Sequence, residues 1–204
     1  MKYFSPVALL VLLAACGQKQ HGAPATEAPP PAGEGPAVTR STEPQTTATA
    51  EVTAGAAAKL SPTQGNTANG ALKITAAGTG VKISGMVQGL KPDSEFGFHF
   101  HEKGDCSAPD ATSAGAHFNP TGQEHGNPQS PPHHAGDMFN LKSDAQGVAE
   151  VSVDNPNVSL QTGSPNDILG KAVVVHAKPD DYKTQPSGNS GDRIACGVVA
   201  VQTN

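Results

Sequence analysis

The sequence predicts an all-β domain over residues 67–204, a Greek-key β-sandwich or flattened eight-stranded barrel with two long functional loops. Short runs of apolar residues alternate with polar or small ones, and turns rich in glycine, proline and asparagine separate the runs. None of the runs carries the apolar stripe of a helix. Many short alternating runs at this spacing are typical of β-sandwiches and β-barrels.

Seven runs are predicted as strands. In chain order they are 72–76, 81–86, 96–101, 138–141, 148–153, 171–177 and 194–201. Two long segments, 102–136 and 178–193, lack a strand pattern and are rich in Gly, Pro, Asn and Asp. Loops of this length inside a compact domain are usually functional or disordered, so their residues decide between the two.

The first sixteen residues predict a lipoprotein signal peptide. One lysine precedes an apolar run, 7–15, that is too short to cross a bilayer. The ending Leu13-Ala14-Ala15-Cys16 resembles the bacterial lipobox, in which the cysteine is lipidated and becomes the first residue of the mature protein. Ordinary signal cleavage, with Cys16 incidental, is the alternative. Because no aspartate follows Cys16, we expect an outer-membrane anchor that faces the periplasm, or the cell surface.

Residues 17–66 predict a flexible tether between this anchor and the domain. The segment consists of Ala, Pro, Thr, Gly and Glu with almost no large apolar side chains. Such a composition buries too little surface to offset the entropy of ordering the chain.

Charge and cysteine content restrict the partners and the compartment. The net charge of −5 argues against a nucleic-acid partner. Once Cys16 is assigned to the lipid, Cys106 and Cys196 remain as an even pair in an oxidising compartment. A bridge between them would close a loop of about 90 residues, worth roughly 4 kcal/mol in the chain-entropy model.

Seven of the eight histidines lie in the predicted domain. His99 and His101 are two apart in a predicted strand, so both project to one side, away from the face that carries Phe98 and Phe100. His176 ends another predicted strand. The first long loop contributes His117, His125, His133 and His134. Neutral imidazoles suit copper and zinc, so the spacing indicates metal binding and leaves the number of metals and their role open.

Five motifs together resemble the copper/zinc superoxide dismutase family. They are GFHFHEKGD, SAGAHFNPTGQEHG, HHAGDM, VVVHAKPDD and GDRIACGVV, in an order that covers the chain from about residue 70 to the C-terminus. The short loop GDCSAPD and the lipoprotein start are similar to the bacterial periplasmic branch. The resemblance implies antioxidant defence of the cell envelope. A redox-cycling copper, bridged through a histidine to a structural zinc, would convert superoxide to oxygen and hydrogen peroxide.

The resemblance also implies roles for individual residues. The implied copper ligands are His99, His101, His117 and His176, and the implied zinc ligands are His117, His125, His134 and Asp137. His117 would bridge the two metals, one copper and one zinc per subunit. Asp180 resembles the carboxylate that links a copper ligand to a zinc ligand, and Cys106 and Cys196 match the family's disulfide. Arg193 matches the arginine above copper, its alternative being an ion pair with Asp192; His133 has no counterpart.

Two other classes of protein share this scaffold: a periplasmic metal carrier and a relative that has lost catalysis. Both predict gaps such as a missing bridging histidine, zinc aspartate or channel arginine, and this sequence has all three. The domain has nine Lys and Arg against fourteen Asp and Glu, so attraction of an anion must be local. Lys103 or Lys183 is a hypothetical steering residue. Family members include monomers and dimers, and we favour a homodimer.

Overall fold

The computed structural model describes residues 55–202 as an antiparallel β fold. Its strands are β1 (Ala56–Pro62), β2 (Asn69–Ala77), β3 (Gly80–Gln88), β4 (Glu95–Phe96), β5 (Phe98–His101), β6 (Leu141–Lys142), β7 (Ala149–Asn155), β8 (Ala172–His176) and β9 (Arg193–Val201). The one helix in this range is a 3₁₀ turn, Thr112–Ala114. The predicted all-β class is confirmed. Residues 1–16, with Cys16, and most of the predicted tether lie outside the described range.

Seven of these strands form one sheet in the order β5-β8-β9-β1-β2-β3-β7, and β4 pairs with β6. The sheet curls, because side chains from its two ends meet in one buried cluster: Phe98 of β5 and Val175 of β8 pack in the same core as Ile83 of β3 and Val151 of β7. Alternate residues of each strand face this core, as a half-buried antiparallel sheet requires. Among the described residues, no helix is long and apolar enough to cross a membrane.

The predicted boundary between tether and domain, at residues 66 and 67, is wrong. β1 lies inside the range assigned to the tether, and it pairs with β2 on one side and β9 on the other. Its buried side chains are Ala56, Ala58 and Leu60, at most 2% exposed. Two ladders of backbone hydrogen bonds stabilise this strand despite the low β-propensity of alanine. Its alanine-rich composition resembles that of the preceding segment, which conceals the period of two.

Two other predicted strands also differ from the structure. The run 96–101 is split at Gly97, whose N–H donates to the carbonyl of Lys178 and whose carbonyl accepts from the N–H of His176, both at 2.8 Å. The run 138–141 is a strand only where Leu141 pairs with Phe96. Before it, the N–H of Asn140 donates to the Tyr182 hydroxyl at 2.9 Å instead of to a neighbouring strand.

The two predicted long loops return to β5 and cover its histidine side. The N–H of Phe118 donates to the carbonyl of Phe100 at 2.8 Å, and the N–H of Phe100 donates to the carbonyl of Gly136 at 3.0 Å. The disulfide between Cys106 and Cys196 joins the first loop to β9 across 90 residues. The predicted pairing of these cysteines is confirmed. Both loops are therefore held against one wall of the sheet.

Candidate metal centre

β5 separates the hydrophobic core from a cluster of histidines. Phe98 and Phe100 are fully buried in the main core. His99 and His101 project to the opposite side, where they meet the first long loop and are also buried, at 0% and 1% exposure. The ring centroids of His99 and His117 are 4.0 Å apart. The alternation of β5 therefore places two imidazoles beside the histidines of the loop.

Four histidines form a first group, in which one ring nitrogen of each lies within 4.8 Å of the others. The group consists of His99, His101, His117 and His176. Nε2 of His101 lies 3.3 Å from Nε2 of His176. Strands β5 and β8 are neighbours in the sheet, which brings these two side chains together from positions 75 residues apart.

Backbone carbonyls fix the tautomers of two of these rings. Nδ1–H of His101 donates to the carbonyl of Gly115 at 2.9 Å, and Nδ1–H of His176 donates to the carbonyl of Gly191 at 3.2 Å. A carbonyl can only accept, so the proton of each neutral ring lies on Nδ1 and the lone pair on Nε2. The two lone pairs face each other, an arrangement that a cation between them stabilises.

Burial keeps these rings neutral. It lowers the pKa of His101 and of His176 well below the ordinary histidine value, and the neighbouring histidines lower it further. Burial also lowers the pKa of His117 to about 4. Neutral imidazole is the form that binds a metal ion, so His101, His117 and His176 have the protonation state that copper or zinc requires.

The second group contains three histidines and one carboxylate within 4.8 Å of one another: His117, His125, His134 and Asp137. Asp137 Oδ1 lies 2.8 Å from Nδ1 of His117 and 3.4 Å from Nδ1 of His134, and its Oδ2 lies 3.0 Å from Nδ1 of His125. Only the contact with His117 has hydrogen-bond geometry. In the described part of the chain, Nδ1 of the other two rings is buried without a hydrogen-bond partner. Three imidazoles and a carboxylate suit tetrahedral zinc.

Asp137 is held in its ionised form. Burial acts to raise its pKa, but the hydrogen bond with His117 and the close contacts with His125 and His134 hold the pKa of this carboxyl well below its usual range. Two main-chain N–H groups also donate to Oδ2, from His134 at 2.9 Å and Gly126 at 3.2 Å. The backbone of the first loop is therefore wrapped around a fixed negative charge.

Asp180 joins the two groups. Its Oδ2 lies 2.8 Å from Nε2 of His99, and its Oδ1 lies 2.9 Å from Nε2 of His125. Nε2 of both rings is bonded to this carboxylate, and Nδ1 of each ring is buried with no hydrogen-bond partner between residues 55 and 202. Outer-shell carboxylates orient metal-binding histidines in this manner. Each ring therefore points Nδ1 towards one of the two groups.

The contacts between Asp180 and the histidines also shift the pKa values of Asp180 and His125. Burial acts to raise the pKa of Asp180, but contacts with His125 and His99 hold that pKa well below its usual range. Burial acts to lower the pKa of His125, but the carboxylates of Asp137 and Asp180 outweigh it and raise the pKa of this ring to about 9. His125 is therefore the one ring of the centre that two carboxylates face directly.

Asn140 fixes the main chain of Asp180, a contact that sequence reasoning missed. The N–H of Asp180 donates to Oδ1 of Asn140 at 2.8 Å, and Nδ2 of Asn140 donates to the carbonyl of Asp180 at 3.0 Å. The N–H of Tyr182 completes the support by donating to Oδ1 of Asp180 at 2.6 Å. The only signal in the sequence was a polar residue at the end of a predicted strand.

His117 belongs to both groups. Its Nδ1 lies on the side of Asp137. Its Nε2 is buried on the side of the first group, where no described residue forms a hydrogen bond with it. A backbone bridge between His117 and His101 aligns this part of the loop with β5. One imidazole thus has a nitrogen available to each group.

A cavity of about 700 Å³ opens above the first group, and its walls include His101, His117 and His176. Arg193 lies in the same wall, where Nη1 donates to the carbonyl of Ala111 and Nη2 to the carbonyl of Gly115, each at 2.6 Å. Within residues 55–202 its guanidinium makes no ion pair, including with Asp192. Burial lowers the pKa of Arg193 from a value so high that the group stays charged.

The remaining sequence candidates lie away from these contacts. His133 belongs to neither group, and its Nδ1–H donates to the carbonyl of His134 at 2.8 Å. Lys103 and Lys183 do not line the cavity. Glu102 lines it, although sequence reasoning did not single this residue out. The steering role of the two lysines stays a prediction.

Comparisons with known proteins agree with this geometry. The model of the copper/zinc superoxide dismutase family matches residues 68–199. Superoxide dismutase [Cu-Zn] 2 of Aquifex aeolicus is 46% identical over 135 residues, which cover 64% of this chain and 78% of that protein. The superoxide dismutase-like protein YojM of Bacillus subtilis is 46% identical over 123 residues, which cover 59% of this chain and 63% of that protein.

Solved structures show the same similarity. A SOD-like protein from Bacillus subtilis matches with a TM-score of 0.64 and 41% identity, covering 70% of this chain and 96% of that chain. The clock protein EA4 matches with a TM-score of 0.66 and 37% identity, covering 73% of this chain and 95% of that chain. With 132 consecutive residues matched by the family model, the chain belongs to the copper/zinc superoxide dismutase family.

Proposed function

We propose that this protein dismutates superoxide with one copper and one zinc bound at the two groups. The observation that carries the proposal is the position of His117, which offers one ring nitrogen to each group. Membership of the family supports the choice of metals and of substrate. A single imidazole shared by two sites couples them chemically. Two independent metal-binding sites would need no shared ring.

The donor sets favour copper in the first group and zinc in the second. The first group has four imidazoles, three of them in the cavity wall, so a metal there is accessible to a small anion. The second has three imidazoles and a carboxylate, a set typical of closed zinc sites. Bound copper would supply one-electron redox chemistry, and bound zinc would polarise His117 without redox chemistry of its own.

The reaction needs an anion site and a proton supply. Two superoxide anions and two protons give one oxygen molecule and one hydrogen peroxide molecule, with one electron passing from the first anion to the second. Arg193 offers the anion a positive charge in the cavity wall, fixed by two carbonyls rather than neutralised by a carboxylate. Because the domain as a whole is negative, this local charge carries the attraction.

Nε2 of His117 would hold a proton next to the bound anion. Its Nε2 has no hydrogen-bond partner among residues 55–202, and the ring lines the cavity. A proton held at this atom lies within the space that the anion enters. Nδ1 faces Asp137 and the rest of the second group, which keeps the plane of the ring fixed while Nε2 gains and loses that proton.

A metal-binding relative without dismutase activity is the second candidate. It is favoured by one observation, that similar proteins include one named superoxide dismutase-like. The complete set of histidines, Asp137 and Arg193 supports the enzyme instead.

Superoxide decay in the presence of the full chain separates the two candidates. The chain loaded with zinc alone should be inactive, and the same chain loaded with copper and zinc should remove superoxide rapidly. Tight uptake of both metals without rapid decay would favour the inactive relative.

We also propose that Cys16 anchors the protein in the cell envelope, where the domain protects against superoxide from outside the cytoplasm. The lipobox-like residues 13–16 support this location. Labelling of cells with radioactive palmitate tests it: the wild-type chain should incorporate label and fractionate with membranes, and Cys16→Ser should do neither. Equal labelling of the two chains would contradict the anchor.

A further inference from the structure

Gln185 is an exposed residue of the second long loop that holds the main chain of a buried histidine. Its Oε1 accepts a hydrogen bond from the main-chain N–H of His125 at 2.9 Å, and its Nε2 donates to the carbonyl of His125 at 2.8 Å. The side-chain amide thus pairs with both peptide groups of one residue. We propose that Gln185 is a positioning residue for zinc at the second group, an inference that rests on the proposed function.

His125 depends on this pairing for its peptide hydrogen bonds. The residue is 3% exposed, and within residues 55–202 Gln185 makes the only hydrogen bonds to its main chain. A buried peptide group without a partner carries the full cost of its lost hydration. Removal of the amide therefore drives the segment around His125 towards water or another partner, and the imidazole moves with it.

The His125 ring has little freedom to absorb such a movement. Its Nε2 lies 2.9 Å from Oδ1 of Asp180, and its Nδ1 lies 3.0 Å from Oδ2 of Asp137. The backbone of Gly188 packs over this pair so closely that a Cβ at that position would lie 2.7 Å from Nε2 of His125. A shift of the main chain therefore changes the direction in which Nδ1 points.

Gln185 also connects the second group to the wall of the cavity. Pro186 and Ser187, which follow it directly, line the cavity above the first group. The same side chain therefore ties the second long loop to the first at the point where the second loop becomes cavity wall. Because Gln185 is exposed and lies outside the hydrophobic core, its replacement leaves the packing of the sheet unchanged.

Release of zinc from the full chain to a chromogenic chelator tests the inference. Gln185→Met keeps the length of the side chain and removes both hydrogen-bonding groups. Gln123→Met is the matched control, because Gln123 is exposed, lies two residues before His125, and makes no side-chain hydrogen bond within the described range. We expect Q185M to release zinc about tenfold faster than the wild-type chain, the lower end of the effect of a lost outer-shell contact. Q123M should match wild type.

A second measurement separates positioning from general loss of stability. Cobalt(II), bound in place of zinc, has a visible absorption spectrum that depends on the geometry of its ligands. We expect Q185M to shift this spectrum and Q123M to leave it unchanged. Both measurements are made well below the thermal unfolding midpoint of each metal-free variant, so that a lower midpoint in Q185M does not by itself change the cobalt spectrum.

The outcomes are distinguishable. Equal rates of zinc release from wild type and Q185M would overturn the inference and leave the proposed function intact. Equal acceleration in Q185M and Q123M would also overturn it, because the effect would then belong to the loop rather than to the amide. A wild-type chain that takes up no zinc would overturn the proposed function and this inference together.

Discussion

Nδ1 of His117 lies 2.8 Å from Oδ1 of Asp137, while Nε2 of the same ring lies on the cavity side of the centre without a hydrogen-bond partner among the described residues. The two nitrogens of one imidazole therefore face different groups. Every other histidine of the centre belongs to one group alone. The coupling between the two proposed metals passes through this ring.

The shared position of His117 predicts a variant that weakens both metal sites. His117→Ala removes one ligand from each group, so we expect the affinities for copper and for zinc both to fall. His101→Ala removes a ligand from the first group alone and should weaken copper binding while zinc affinity stays within about threefold of wild type. Competition titrations with chelators measure the four affinities. Loss of one metal only in His117→Ala would contradict a bridging role.

Asp180 predicts a loss of metal affinity that arises from a residue outside both groups. Its carboxylate accepts from Nε2 of both His99 and His125, whereas an asparagine at this position presents one acceptor and one donor. In Asp180→Asn one of the two rings must change its tautomer, and its Nδ1 then carries the proton. We expect the affinity for at least one metal to fall about 10- to 100-fold. Asp154→Asn, an exposed change on β7, is the control. Unchanged affinities in Asp180→Asn would show that the link has no part in orienting the rings.

Arg193 predicts a change in rate without a change in metal content. Its two terminal nitrogens reach the carbonyls of Ala111 and Gly115, a fork that lysine cannot reproduce. A unit charge about 6 Å from an anion, in an effective dielectric of about 40, contributes about 1.4 kcal/mol, or roughly tenfold in rate. Arg193→Ala should lose about that factor and depend less steeply on salt, and Arg193→Lys should fall between. Lys82→Gln on β3, away from the cavity wall, should leave rate and salt dependence unchanged.

The disulfide predicts a loss of stability that reducing agents reproduce. Cys106 and Cys196 close a loop of 90 residues, so their removal should lower the free energy of unfolding by roughly 4 kcal/mol. Denaturant unfolding of the double variant Cys106→Ser with Cys196→Ser measures the loss. The wild-type chain should approach the same midpoint when reduced, and the double variant should not respond to reductant. A wild-type chain that reductant does not affect would contradict this contribution.

The pairing of β1 with β2 and β9 predicts how far the chain can be shortened from its N-terminus before the domain no longer folds. A chain that starts at residue 55 retains the strand between β2 and β9, whereas one that starts at residue 67 exposes an edge of each and the side chains that Leu60 covers. We expect the first to unfold cooperatively and the second to be unfolded or aggregated. Circular dichroism during heating distinguishes them. Equal stability of the two fragments would show that β1 is dispensable.

Local periodicity predicted much of the sheet and part of the centre. The period of two in residues 96–101 correctly separated the phenylalanine side from the histidine side, because a strand alternates by geometry. The contact between β5 and β8 at the centre spans 75 residues, and the bridge between β5 and the first loop joins His101 to His117. No local pattern contains contacts at these separations. The prediction of this centre came from motifs that resemble a known family.

β1, Asn140 and Gln185 were missed because their roles depend on partners that are distant in the sequence. β1 is rich in alanine, so its composition matched the preceding segment although two neighbouring strands stabilise it. Asn140 and Gln185 act on the main chains of residues 40 and 60 positions away. A peptide group is the same in every residue, so a side chain that binds one leaves no signature in its partner's sequence.

The central claim is that the first group is the place where superoxide reacts, and one measurement tests it most directly. Superoxide decay is followed with the copper- and zinc-loaded wild-type chain, with His101→Ala, and with His133→Ala, which changes a neighbouring histidine outside both groups. Rapid decay with wild type and His133→Ala, and its loss in His101→Ala, is the predicted result. Decay that persists in His101→Ala with copper bound, or slow decay with a fully loaded wild-type chain, would contradict the account.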